Sequence, residues 1–310
     1  MPKVKEQLAL GRAYEANGKA ELRDAAAADN KALPVHRWVP WIAGFSAGFV
    51  EDAIDAYLPA RNRARQLVLD PFAGVGTTLV EAVKAGCDTV GYEINAFAAL
   101  AARAKLDCID VAPDALEADI DAFRGALTRF ESRIDHRYGE AGSQALDRTL
   151  SKLRAAAPPA FRSRIPFFSP PVEAKFLFAL EHLADLPDQH RQIFLAAFGA
   201  TMVTFSNYSY EPSLSSRPGA DKPLVENASV SLPVCRKLDL MLEDIRWVHS
   251  KYGPAWRRVR RGCHPWLLLW FEAETRHGIP SCHVSALHEQ LPLRQKHAAT
   301  TALAWPHTGA

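Results

Sequence analysis

At 310 residues, 48% of them hydrophobic, and with a formal net charge of +2, the chain can bury the core of one large domain or two small ones, and its overall charge does not by itself mark a nucleic-acid partner. No uninterrupted apolar stretch reaches transmembrane length, and the first 35 residues mix charges with alanines in a helical rhythm, without the apolar run and small-residue cleavage site of a signal peptide. Cys87, Cys108, Cys235, Cys263 and Cys282 are scattered and lack a Cys-x-x-Cys pair, which argues against a disulfide scaffold or a structural zinc site and fits a reducing cytoplasm.

Residues 1 to 30 suggest one or two polar helices, broken by Pro34 ahead of the aromatic segment His36-Arg37-Trp38-Val39-Pro40-Trp41-Ile42-Ala43-Gly44-Phe45-Ser46. A helix is expected from about Ala47 to Leu58. Gln66 to Asp70 is an apolar run of strand length, followed by a glycine-rich turn and a helix from about Thr77 to Lys84 that Gly86 can terminate. Asp88 to Glu93 reads as the next strand and Ala96 to Lys105 as the next helix. This strand, turn, helix, strand, helix succession is the repeating unit of a doubly wound α/β sheet, whose ligand sits at the carboxyl ends of the strands.

From about Asp114 to Ala200 the pattern is mostly helical, with breaks at Pro158-Pro159 and Pro166, and it reads as a helical insertion. Thr201 to Pro223 is polar, aromatic and loop-forming, with Ser206-Asn207-Tyr208-Ser209-Tyr210 and then Ser216 to Lys222; it suits the rim of a substrate cleft and an ordinary surface loop equally well. The cluster Arg257, Arg258, Arg260 and Arg261 is either a solvated face or a track for phosphates. The expected division is 1–46 (helical and aromatic), 47–113 (first half of the sheet domain), 114–200 (helical insertion), 201–262 (return to the core and cleft rim) and 263–310, a tail of different character.

The block that carries chemistry is Asp70-Pro71-Phe72-Ala73-Gly74-Val75-Gly76-Thr77-Thr78, placed directly after a strand and opening a helix. Gly74 and Gly76 let a ligand approach the backbone without a Cβ in the way, and the helix start offers unpaired amide donors. Asp70, at the strand end, can meet a charged amino-acid moiety. Glu93, 23 residues on, ends the second strand, where a carboxylate can accept both hydroxyls of a ribose, and Ile94 beside it can pack on an adenine face. A Gly-x-Gly turn alone also serves dinucleotides, but here the third glycine of that fingerprint is missing and the Asp-Pro-Phe lead-in would be unexplained.

Asp-Pro-Phe-Ala-Gly-x-Gly-Thr-Thr followed by Gly-Tyr-Glu-Ile-Asn resembles motifs I and II of the DNA amino-methyltransferases. The resemblance implies a Rossmann-like S-adenosylmethionine-dependent methyltransferase fold and double-stranded DNA as substrate. It also implies methylation of an exocyclic amino group, as in restriction-modification enzymes, with cytosine N4 ahead of adenine N6. In that family an aromatic segment with a Phe-Ser pair precedes motif I and closes over the methionine part of the cofactor. His36 to Ser46 resembles it, with Trp38 and Trp41 as neighbours, although the same aromatics also suit a plain core. The implied cofactor set is Phe45, Ser46, Asp70, Pro71, Phe72, Ala73, Gly74, Gly76, Thr77, Thr78, Glu93 and Ile94.

Methyl transfer to an exocyclic amine requires in-line approach of a desolvated nitrogen on a base taken out of its stack, so positioning and electrostatics dominate. The family uses a Ser/Asp/Asn-Pro-Pro-Tyr/Phe turn for this. Ser169-Pro170-Pro171-Val172 is the in-frame candidate, but it lacks the aromatic, follows no apolar strand and leads into a helical pattern. Ser169 as N-cap with Pro170 at the first helical position explains it better, so Ser169, Pro170 and Pro171 are disfavoured and the catalytic residues stay unassigned.

After Gly262 the composition shifts: six of the eleven histidines and two of the five cysteines fall in the last 48 residues, without a sustained helix or strand period. Reading one base later, the codons across Gly262 to Pro265 permit Asp-Ala-Thr, those across His283 to His288 permit Thr-Ser-Pro-Pro-Tyr, and Trp305-Pro306 forces a glycine. The expectation is therefore an out-of-frame tail in a chain whose cofactor motifs are intact and whose catalytic loop is lost, against the alternative of a genuine divergent extension. An RNA amino-methyltransferase, a non-catalytic cofactor-binding remnant and, more distantly, a nicotinamide oxidoreductase are the competing functions.

Overall fold

Strand β1 (Leu67–Asp70) runs parallel to β2 (Asp88–Glu93), and β2 runs parallel to β3 (Arg261–Pro265), giving a sheet of order β1-β2-β3. The structure is a computed structural model. It describes residues 22–41, 44–58, 63–64, 66–142, 165–208, 223–259 and 261–265, with positions 146, 149, 152 and 153. Residues 1–21 of the expected N-terminal helices, Pro158-Pro159, Ser209 to Lys222, Arg260, Cys282 and residues 266–310 lie outside it.

The first half follows the periodicity of the sequence closely. Helix α1 (Ala47–Tyr57) starts where Ser46 Oγ accepts the Phe49 amide at 3.1 Å. Helix α2 (Thr77–Lys84) opens from Gly76, which takes the left-handed conformation at φ 83°. Helix α3 (Ala96–Asp107) is capped by Asn95, whose Oδ1 accepts the amides of Phe97 at 2.9 Å and Ala98 at 3.1 Å. Small side chains along α3, among them Ala98, Ala101 and Ala102, are buried, which lets it pack close to its neighbours.

The rest of the described chain is helical: α4 (Pro113–Ala141), α5 (Pro170–Leu183), α6 (Asp188–Thr201) and α7 (Ser231–Arg258). Proline at the first position of α4 and α5 lacks only an amide that would have no intrahelical partner. Edge-to-face contacts of Phe123 with Phe194 and Phe198 lock α4 to α6. Helix α7 is anchored by Glu131 of α4, whose buried carboxylate accepts the Val230 amide at 2.6 Å and the Ser231 amide at 2.8 Å. Sequence reading placed 201–262 as a return to the core and cleft rim; a 28-residue helix fills most of that stretch before β3.

Ser169 does occupy the N-cap position of α5, but its hydroxyl makes no capping bond and is buried without a hydrogen-bond partner. Helix α5 lies against α4 and continues no strand. No helix among the described residues is long and apolar enough to cross a membrane.

Candidate functional site at the tips of β1 and β2

The turn after β1 is held by a set of backbone-directed hydrogen bonds. Asp70 Oδ1 accepts the Phe72 amide at 3.0 Å and folds the chain over at Pro71. The Ala73 amide then crosses to Tyr92 O of β2 at 2.9 Å, and the Gly76 amide closes on Ala73 O at 2.7 Å. Gly74 and Gly76 both have positive φ, 51° and 83°. A Cβ at Gly76 would sit 2.9 Å from Ala102 Cβ, so glycine is required both by the backbone and by the close approach of α3.

Glu93 is the pivot of the site. One carboxylate oxygen accepts the Gly74 amide at 2.7 Å and the other accepts the Asn95 amide at 2.7 Å. The side chain thus staples the glycine turn of β1 to the end of β2, and each oxygen keeps a second lone pair for another donor. Around this tip Phe72 and Ile94 project outward, 77% and 83% exposed, an arrangement that apolar side chains adopt at a price unless something covers them. Hollows of about 500 Å³ beside Arg129, Ser132 and Phe178, and of about 290 Å³ beside Glu51, Arg63 and Tyr252, lie elsewhere.

The aromatic segment reaches the turn through Trp41. A Cβ on Gly74 would meet the Trp41 indole nitrogen at 3.1 Å, so the indole lies against the glycine itself. Trp38 is fully buried, and its Nε1 donates to Asp244 Oδ2 of α7 at 2.9 Å. Asp244 also accepts the Val35 amide at 2.8 Å and the Arg37 guanidinium at 2.6 Å, and these bonds fix the segment in place. Phe45 is half exposed and stacks on Phe49, while Ser46 Oγ, besides capping α1, donates to Asp24 O at 2.5 Å. Thr77 is buried and Thr78 half-buried in the first turn of α2, where amides have no intrahelical acceptor.

Behind the turn, Lys105 of α3 donates its ammonium to Val75 O at 2.9 Å from a completely buried position. Burial without a carboxylate partner pushes its pKa down to about 7. His36 Nε2 meets Glu81 Oε1 at 2.6 Å, both buried; burial lowers the histidine pKa despite the carboxylate, so the ring is neutral at physiological pH. Burial opposes ionisation of Glu81, but its bonds to His36 and Lys84 outweigh that and hold it below the usual carboxylate range.

The structure therefore brings Asp70 to Thr78, Glu93, Ile94 and Trp41 to one place, the C-terminal edge of β1 and β2. Sequence reading missed Asn95, Lys105 and Asp244; Asn95 alone carried a signal, as an N-cap residue before an apolar helix. Of the basic cluster, Arg261 turns inward, donating to Leu106 O at 2.9 Å and pairing with Asp110, and Arg257 donates to Ile109 O at 3.3 Å. Both bind the chain's own carbonyls or carboxylates.

Residues 33–103, the aromatic segment, both strand tips and α3, match the family described as DNA methylase. This segment belongs to the DNA amino-methyltransferase family. Over 67 residues the chain is 30% identical to the type II methyltransferase M.MjaII of Methanocaldococcus jannaschii, an alignment covering 22% of this chain and 13% of that protein. No solved structure matches.

Proposed function

We propose that this chain is the cofactor-binding part of an S-adenosylmethionine-dependent DNA amino-methyltransferase, with double-stranded DNA as the ancestral substrate and cytosine N4 favoured over adenine N6. The observation that carries it is the joint placement of Glu93, the Gly74 to Gly76 turn and the exposed Phe72 and Ile94 at one sheet edge. The residues fit the cofactor: the positive-φ glycines leave room that a Cβ would fill, and Glu93 retains acceptor capacity next to them.

When bound, S-adenosylmethionine supplies a sulfonium methyl group for attack by an amine. In this reading Glu93 accepts the ribose hydroxyls, Ile94 and Phe72 flank the adenine, and the first-turn amides of α2 with Asp70 orient the amino-acid end. Trp41, with Phe45 and Ser46 on the same segment, shields that end from water. These groups bind and orient; none is placed to hold the target amine.

The Ser169-Pro170-Pro171 turn leads into α5, away from any strand, so the chain as it stands is proposed to lack the catalytic loop. Incubating the full chain with tritiated methyl donor and plasmid DNA, and separately with RNA, tests this. The reading expects donor binding with little or no transfer to either. Rapid transfer to DNA refutes the loss of the loop, transfer to RNA alone replaces the substrate class, and absence of donor binding refutes the whole reading.

A further inference from the structure

Strand β1 carries the glycine turn, yet among the described residues it pairs on one side only, with β2. Its Leu67 and Leu69 are 61% and 58% exposed. The register aligns Leu69 with Val90 of β2, and partners aligned across a ladder share a face, so an apolar strip runs over one side of the sheet. The opposite side is packed: Val68 lies against Val50 and Ile54 of α1 and Ala82 of α2, and Gly91 sits under Leu79 of α2. Parallel strands are as a rule covered on both faces, and an open strand edge beside exposed leucines is a template for one more strand.

We infer that the bare face and free edge of β1 are the docking surface for a further strand and its covering helix, supplied by the polypeptide that the same gene encodes one base out of frame beyond codon 262. The inference rests on the methyltransferase reading only for the role of that segment, not for the surface itself. Three observations select this occupant. Strand β3 begins at Arg261, so the sheet stops at the point where the family-like sequence leaves the frame. The shifted frame permits a Thr-Ser-Pro-Pro-Tyr turn across His283 to His288. A strand added parallel to β1 ends at the same edge as Asp70 and Glu93, which brings such a turn to the exposed Phe72 and Ile94.

The test begins with the nucleotide sequence of the gene, which defines the shifted polypeptide without ambiguity. That polypeptide is made separately and added to the full chain, and amide hydrogen exchange is followed at residues 67–70. Protection rising at least tenfold is expected, and it is expected to vanish in Leu67→Asp/Leu69→Asp while binding of the methyl donor is retained. Should that pair fail to fold, Leu69→Ser reports the same loss. A shifted frame that stops within a few codons, or lacks the Pro-Pro turn, overturns the inference. So does unchanged exchange with donor binding intact, or protection of the chain alone that grows with its concentration and a dimeric sedimentation mass, which makes a second copy the occupant. Failure of donor binding with protection present would instead sink the functional reading and leave the surface standing.

Discussion

Glu93 accepts the amide of Gly74 at 2.7 Å, so the acidic side chain at the end of one strand fixes the glycine turn at the end of its neighbour. The same carboxylate is the group proposed to hold the ribose. Stability and affinity are therefore separable at this residue. Glu93→Gln keeps one acceptor oxygen and is expected to cost about 1 kcal/mol of stability, but to weaken donor binding at least tenfold, because hydrogen bonds to a charged group are the stronger kind. Calorimetric titration alongside thermal melts checks this; equal affinities for both proteins would remove Glu93 from the site.

Gly76 and Gly86 share φ 83°, but only Gly76 has a neighbour, Ala102, in the way of a Cβ. Gly86→Ala should cost about 1 kcal/mol for backbone strain alone. Gly76→Ala adds a clash and should cost about 2 to 4 kcal/mol. Urea denaturation midpoints of the two variants provide the comparison.

Lys105 makes stability depend on pH in an uncommon direction. Its pKa is depressed from 10.5 to about 7 in the folded chain, so between those values the unfolded chain holds a proton that the folded chain does not. Stability contributed by this group therefore rises as pH climbs from about 7 towards 10.5, by up to about 1.4 kcal/mol per pH unit, and is flat below 7. Lys105→Met should abolish that rise while freeing Val75 O. Denaturation midpoints at neutral and alkaline pH, compared between the two proteins, test both sign and window.

Asp244 is buried and accepts bonds from Val35, Arg37 and Trp38, the residues that carry the chain towards Trp41. Asp244→Ala leaves those donors unpaired and should cost about 3 kcal/mol. It should also weaken donor binding through Trp41, whereas Asp239→Ala, at the surface, should do neither. Melting temperature and titration on the same samples separate the two effects.

What the sequence made legible was local. Strands 67–70 and 88–93 and helices 47–57, 77–84 and 96–107 were each placed within two residues or so, because their apolar spacing and caps act over a few positions. The turn from Asp70 to Thr78 was legible because glycine at positive φ and a following helix start are local requirements. The Asp244 bonds join residues 209 apart in the chain, and nothing near Val35 announces such a partner. Helix α7 hides its course for a related reason: its buried positions serve several neighbours, and its start is set by Glu131 on another helix. The inward turn of the Glu93 carboxylate onto backbone amides was equally out of reach, since a strand-end acid reads the same whether it faces solvent or a neighbouring turn.

The most direct measurement is ultraviolet cross-linking of radiolabelled S-adenosylmethionine to the full chain, followed by peptide mapping of the label. Label confined to peptides spanning 70–78 and 93–94, and lost in Glu93→Ala, is the predicted result. Label on peptides that contain neither strand tip, or labelling unchanged by that substitution, would contradict a methyl-donor site at the ends of β1 and β2.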